Sequence, residues 1–162
     1  MPSPLVRGLV VLAGVATVGS YVGMILISTT RDRVDHLDVE PVKSVAAAAC
    51  TELRTAVDAL PPLPPTAATA ERQARVAEQG RLVDRLVEQV SAVGPEALAK
   101  DVPAQEWLGD WTTLQAARQS WADAGATGAV PVPVADGRPL ADRMGRVGVA
   151  SCLVPTPLLT AP

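Results

Sequence analysis

An apolar segment near the N-terminus constrains the fold of this chain more than any other feature. The residues from Gly8 to Thr30 include no charged side chain. A helix rises about 1.5 Å per residue, so a run of this length can cross a hydrocarbon core about 30 Å thick. We therefore predict one transmembrane helix, from about Leu5 to about Ile27, within an N-terminal signal anchor of residues 1–30.

A cleaved signal peptide is the main alternative for this segment, because Arg7 resembles the charged start of such a peptide. However, the apolar run exceeds the usual apolar region of about 7 to 15 residues. In addition, Ile25, Leu26 and Ile27 occupy the place where a small-residue cleavage site is expected. These two features favour an uncleaved anchor.

Two glycines within the predicted span are spaced for contact with another helix. Gly19 and Gly23 form a GxxxG pair, which lets the backbones of two membrane helices approach closely. Glycine is also frequent in membrane helices that do not associate. The pair therefore indicates either contact with a neighbouring membrane helix or only the usual glycine content of a membrane helix.

Cys50 and Cys152 are the only cysteines, and their spacing matches no zinc motif. A disulfide across about a hundred residues stabilises by about 4 to 5 kcal/mol on the loop-closure model. The alternative is two free, buried thiols. The choice depends on the compartment, because disulfides persist in oxidising surroundings.

The orientation of the span rests on these cysteines. Arg7 precedes the span and Arg31 and Arg33 follow it, so the positive-inside rule gives no clear answer. An oxidising exterior suits a paired Cys50 and Cys152 best. We expect a single-pass protein of the cell membrane with a cytoplasmic N-terminus and an extracytoplasmic C-terminal domain.

The rest of the chain is long enough for one small domain, which we predict to be mainly α. Acidic residues before Pro41 suggest a solvated stalk over residues 31–41. Residues 42–153 form the predicted helical domain, with about three helices, and residues 154–162 form a Pro-rich tail. Apolar residues at helical spacing predict the three helices at residues 42–60, 71–93 and 104–124.

A Pro-rich segment near the C-terminus predicts a different local structure. The alternation of valine and proline over residues 130–134 suits an edge strand or an extended arm, because proline cannot donate to a sheet. Asp136 and Gly137 then favour a turn. A short helix is expected between Leu140 and Val147.

Three tryptophans lie on one face of the third predicted helix. Trp107, Trp111 and Trp121 follow helical spacing, and Arg118 lies beside them. In a chain without phenylalanine they are expected to form the core, where Arg118 would stack on an indole or pair with Asp110. The alternative is an exposed partner surface or the lining of a pocket.

The sequence offers little chemistry, and we predict no enzyme, no catalytic residue, no cofactor and no metal site. The single histidine, His36, falls in the predicted stalk, and no nucleophile or phosphate-loop motif is present. The carboxylates Glu106 and Asp110 are the one candidate pair, and a solvated helix edge explains them. The formal net charge of −3 argues against a nucleic-acid partner.

Several residues around these tryptophans carry a resemblance to a family of uncharacterised single-pass membrane proteins of high-GC actinobacteria. The W-L-x-D-W segment comprises Trp107, Leu108, Asp110 and Trp111. The further matching residues are Arg118, Trp121, Asp142, Arg143, Met144 and Cys152. The resemblance implies an exported helical domain and carries no activity with it.

The expected function is that of a non-enzymatic interaction or accessory protein of the cell envelope. Its partners would be the lipid bilayer and another membrane or envelope protein. The alternative is a small-ligand or lipid-binding module with a pocket lined by Trp107, Trp111 or Trp121.

Overall fold

The computed structural model describes residues 36–162, and the predicted span, with Gly19 and Gly23, lies outside them. The fold of the described part is mainly helical, as expected. Within residues 36–162, no helix is both long enough and apolar enough to cross a membrane.

Three long helices and two short ones form the domain. Each long helix begins at or just before its predicted start, because Pro41 lies in the first turn of one and Pro103 directly precedes another. Gly94 and Pro95 separate the second long helix from a short one, which lies between the predicted helices of residues 71–93 and 104–124. The helices are α1 (Glu40–Asp58), α2 (Thr69–Ser91), α3 (Pro95–Lys100), α4 (Ala104–Asp123) and α5 (Leu140–Met144).

Helix α2 packs against both α1 and α4, and the main core lies along these contacts. Small and branched side chains supply the α1 and α2 faces, whereas α4 contributes the bulk through its indoles. The buried residues of this core include Val42, Ala46, Leu53 and Val57 of α1, Val83, Leu86 and Val90 of α2, and Trp107, Trp111 and Leu114 of α4.

A short antiparallel hairpin connects α4 to α5. It consists of β1 (Val134–Ala135) and β2 (Arg138–Pro139), with Ala135 opposite Arg138. Asp136 and Gly137 form the turn and have φ angles of 53° and 74°. Two consecutive positive φ angles are typical of the tight hairpin turn that Asp-Gly favours, so the turn prediction is confirmed.

The C-terminal segment is part of the domain, which differs from the predicted tail of residues 154–162. It runs through three 3₁₀ turns at Gly145–Val147, Ala150–Cys152 and Thr156–Leu158. Leu158 is buried in the main core. This apolar side chain holds the Pro-rich segment against the helices.

The described part of the predicted stalk, residues 36–41, also packs on the domain. Leu37 is buried, and its N–H donates to the carbonyl of Val147 over 3.0 Å. His36 covers Gly148, where a Cβ atom would lie 2.5 Å from its Nδ1 and φ is +74°. The acidic composition predicted solvation of this segment, but its one leucine enters the core.

Candidate functional site

A disulfide joins Cys50 of α1 to Cys152, with a Cα–Cα distance of 4.9 Å, and both residues are buried. Hydrogen bonds also connect the 3₁₀ turn of Cys152 and the residue after it to α1. Ser151 Oγ donates to the carbonyl of Ala47 over 3.1 Å, and Arg54 Nη2 donates to the carbonyl of Leu153 over 2.9 Å. The disulfide alternative for the cysteines is therefore confirmed, and it connects the C-terminal segment to α1.

An arginine of α5 gathers three carboxylates, which we call the Arg143 cluster. Arg143 Nε donates to Asp110 Oδ2 over 2.9 Å, and its Nη2 donates to the other oxygen of the same carboxylate. Its Nη1 donates to Glu106 Oε1 over 2.6 Å and to Asp136 Oδ2 over 3.4 Å. The cluster therefore ties α4, the hairpin turn and α5 together.

Burial and the contacts with Arg143 have opposite effects on the pKa of Asp110 within the Arg143 cluster. Burial raises the pKa of Asp110, while the hydrogen bonds from Arg143 lower it and the charges of Glu106 and Asp136 raise it further. The hydrogen bond with Asp110 raises the pKa of Arg143 in turn. The solvated helix edge predicted for the two α4 carboxylates is correct for exposed Glu106 but wrong for Asp110, which is buried.

A pocket of about 100 Å³ lies beside the Arg143 cluster. Its apolar walls are Val102, Pro103, Trp107 and Val147, and its charged groups are Glu106, Asp110, Arg143 and Arg146. Sites for drug-sized ligands usually enclose about 300 to 1,000 Å³. This pocket has room for a few atoms only.

The tryptophans are core residues, as the sequence predicted. Trp107 and Trp111 are buried in the main core with their rings edge to face, at 6.1 Å between centroids. Trp121 belongs to a second cluster with Val76 and Val130, and its Nε1 donates to the carbonyl of Thr127 over 2.8 Å. The third indole thus holds the loop that follows α4.

Arg118 does not pair with Asp110, which lies two turns away on the same helix and accepts hydrogen bonds from Arg143. Its Nη2 donates to Gln79 Oε1 of α2, and its Nη1 donates to the carbonyls of Leu158 and Thr160. Burial lowers the pKa of Arg118 to about 10. The guanidinium connects α2, α4 and the C-terminal segment through uncharged acceptors.

An open groove of about 450 Å³ runs between α1 and the end of α2. Its floor consists mainly of small apolar side chains, and a hydrogen bond of 2.8 Å from Gln89 Nε2 to Glu52 Oε2 crosses one end. The apolar residues of the groove are Val45, Ala48, Ala49 and Ala92. We call this surface the α1–α2 groove.

Other predicted residues lie apart from these features. His36 lies over Gly148, and within residues 36–162 no three side chains of His, Cys, Asp and Glu lie close enough to hold a metal ion. Arg143 and Gln79 were missed as contact residues, because their partners lie 33 and 39 positions away in the chain. Sequence reasoning named Arg143 only among the residues of the proposed resemblance, without a contact partner.

Comparisons with protein-family models, curated proteins and solved structures find no match to this chain. The geometry of residues 36–162 and the sequence of the N-terminal segment therefore carry the functional proposal.

Proposed function

We propose that this chain is a membrane-anchored, non-enzymatic interaction or accessory protein of the cell envelope, and that a helix of a partner protein lies in its α1–α2 groove. The observation that carries the proposal is the groove itself, an open apolar surface of about 450 Å³ between two helices. Contiguous apolar surface with a polar rim is typical of protein contact sites.

The lining of the groove suits a helix in particular. Ala48, Ala49 and Ala92 have side chains of one carbon, so the backbone of a third helix can approach closely. Glu52 and Gln89, already bonded to each other, place polar atoms at the edge of the groove. A partner helix with small apolar residues along one face would bury the exposed Ala48 and Ala92 and leave this polar edge in water, while Ala49 is already buried in the core.

The membrane anchor and the outward placement are supported by different observations. The uncharged run from Gly8 to Thr30 supports an anchor. The disulfide between Cys50 and Cys152 supports an oxidising compartment for the domain. The resemblance to exported actinobacterial proteins points the same way.

The geometry favours a protein partner over a small ligand or lipid. Trp111 and Trp121 are packed in core clusters, and the pocket that Trp107 lines has a volume of about 100 Å³. A small-molecule site normally buries most of its ligand, which an open groove does not do.

Substitution of one exposed alanine tests the proposal. Ala48→Arg places a long charged side chain in the groove, whereas Ala116→Arg places the same side chain on the exposed surface of α4. We expect proteins cross-linked to the full-length chain in native membranes to be lost with Ala48→Arg and retained with Ala116→Arg. Equal cross-linking by the two variants would reject the groove as the contact site, and a cross-linked homodimer would replace the partner protein by a second copy.

A further inference from the structure

The charge of Arg118 is buried without a counter-ion. Its side chain is 4% exposed, and its hydrogen-bond acceptors are an amide oxygen of Gln79 and the backbone carbonyls of Leu158 and Thr160. Within residues 36–162, no carboxylate lies within ion-pair distance of this guanidinium. Burying an ionised group costs several kcal/mol unless an opposite charge compensates it.

A small void adjoins Arg118 between α2 and α4. Its volume is about 10 Å³, and it is partly open to solvent. Its polar lining consists of Arg118 and three amide side chains, Gln79, Gln115 and Gln119, and none of its lining residues is acidic. Gln79 donates to the carbonyl of Pro157 over 3.4 Å and Gln119 donates to Asp123 Oδ1 over 2.8 Å, so Gln115 is the amide left to donate beside the buried positive charge.

Gly80 adds a further observation, because it allows an amide to reach this void. A Cβ atom at Gly80 would lie 3.1 Å from Gln115 Nε2, closer than most side-chain contacts allow. Glycine within a helix is less favourable than alanine. Here it lets the Gln115 amide pack against α2 beside Arg118, where an N–H can donate to an occupant of the void.

We propose that this void binds one small monovalent anion, such as chloride, as the counter-ion of Arg118. The amide of Gln115 and the guanidinium of Arg118 are the donors, and Leu158 closes the site from the C-terminal segment. The lowered pKa of Arg118 agrees with a charge that the protein itself leaves uncompensated.

The first test measures stability against chloride concentration at constant ionic strength. The full-length chain in mild detergent is unfolded with urea while chloride replaces methanesulfonate, and helicity is followed by circular dichroism. An anion that binds only the folded state raises the folding equilibrium constant about a hundredfold at a hundredfold excess over its dissociation constant. We expect the urea midpoint to rise with chloride concentration as this binding relation predicts. Bromide is expected to have the same effect as chloride.

Two variants locate the effect. Arg118→Met removes the buried charge and is expected to abolish the dependence on chloride. Arg85→Met removes an arginine of α2 that is 60% exposed, and it is expected to retain the dependence. A dependence that persists unchanged in Arg118→Met would overturn the proposal.

A second measurement applies even where Arg118→Met does not fold. Chloride-35 NMR of the folded wild type is expected to show excess line width that bromide displaces, and Gln115→Leu, which loses one donor, should reduce it. A wild type with no excess line width and no chloride-dependent midpoint would hold an ordered water only, and the anion site would be rejected.

Discussion

At the scale of single residues, two buried aspartates connect segments that are distant in the chain. Asp110 receives the guanidinium of Arg143, 33 positions away, and Asp101 Oδ2 accepts the N–H of Val39, 62 positions away, over 3.1 Å. Val39 directly precedes α1, so Asp101 also places a negative charge at the start of that helix, where it is favourable. Each carboxylate fixes a contact that no local pattern specifies.

Replacing Arg143 tests the value of the Arg143 cluster. In Arg143→Met the buried carboxylate of Asp110 loses both of its charged donors. We expect the free energy of unfolding to fall by about 2 to 3 kcal/mol, because a buried charge is left without its partner. The measurement is urea unfolding of the full-length chain followed by circular dichroism.

The exposed pair of Arg85 and Glu52 provides the control for this change. Its two side chains are 60% and 48% exposed, so Arg85→Met should alter the free energy of unfolding by less than about 0.5 kcal/mol. Losses of equal size in the two variants would show that the contact with Asp110 contributes no more than a surface ion pair.

The pH dependence of stability follows from the direction of the pKa shift at Asp101. Burial raises the pKa of this carboxyl above its ordinary value of 3.8, so the folded state holds its proton more tightly than the unfolded state does. Stability from this group therefore increases as pH falls from neutral through the raised pKa, and it stops increasing below the ordinary value.

Asp101→Asn isolates this effect, because asparagine keeps an acceptor for Val39 but does not titrate. Urea midpoints of both proteins are measured from about pH 7 down to about pH 4. We expect the wild type to gain stability relative to the variant as the pH falls. A relative loss on acidification would mean that the pKa of Asp101 is lowered in the folded protein.

At the scale of elements, the long helices were predictable and the short segments around them were not. Apolar spacing and the flanking prolines located α1, α2 and α4, and Asp136-Gly137 located the hairpin turn, because these signals are local. The acidic or Pro-rich composition of residues 36–41 and 154–162 did not indicate their packing on the helices. Leu37 and Leu158 are buried in the core, and Val39, Val154 and Leu159 pack partly buried against it.

The same difference explains which contacts of the candidate sites were predictable. The tryptophans were correctly placed in the core because their helical spacing and bulk leave few alternatives. The predicted pairing of Arg118 with Asp110 was wrong. Asp110 lies two turns away on the same helix, whereas the observed partner, Gln79, lies on α2. Only the packing of α2 against α4 brings Gln79 into reach.

Leu158 provides a test of how the C-terminal segment is held. Its side chain is 1% exposed in the main core, whereas Leu153 in the same segment is 53% exposed. Leu158→Ala should lower the free energy of unfolding by about 3 kcal/mol through the cavity it leaves, and Leu153→Ala by less than about 0.5 kcal/mol. Urea unfolding of both variants measures the difference, and equal small effects would mean that the segment is not anchored through Leu158.

At the scale of the whole molecule, the disulfide relates the fold to the proposed location. It closes a loop across 102 positions, and on the loop-closure model such a loop stabilises by about 4 to 5 kcal/mol. A domain with few large apolar side chains benefits from such a bridge, and an oxidising compartment is where it persists. The state of the cysteines in living cells therefore bears on both stability and orientation.

Thiol labelling of intact cells with a membrane-impermeant maleimide tests the proposed orientation. Because Cys50 and Cys152 are buried and bonded to each other, we expect neither to be labelled in the native domain without reductant. An impermeant reductant, together with urea at a concentration that leaves the cells intact, should expose both thiols to the maleimide. The variant Ala116→Cys places a thiol on the exposed surface of α4, outside the α1–α2 groove, so it should be labelled without reductant and serves as the control for an outward domain. Labelling of Cys50 and Cys152 without reductant would contradict the disulfide in cells, and labelling of Ala116→Cys only after lysis would contradict an extracytoplasmic domain.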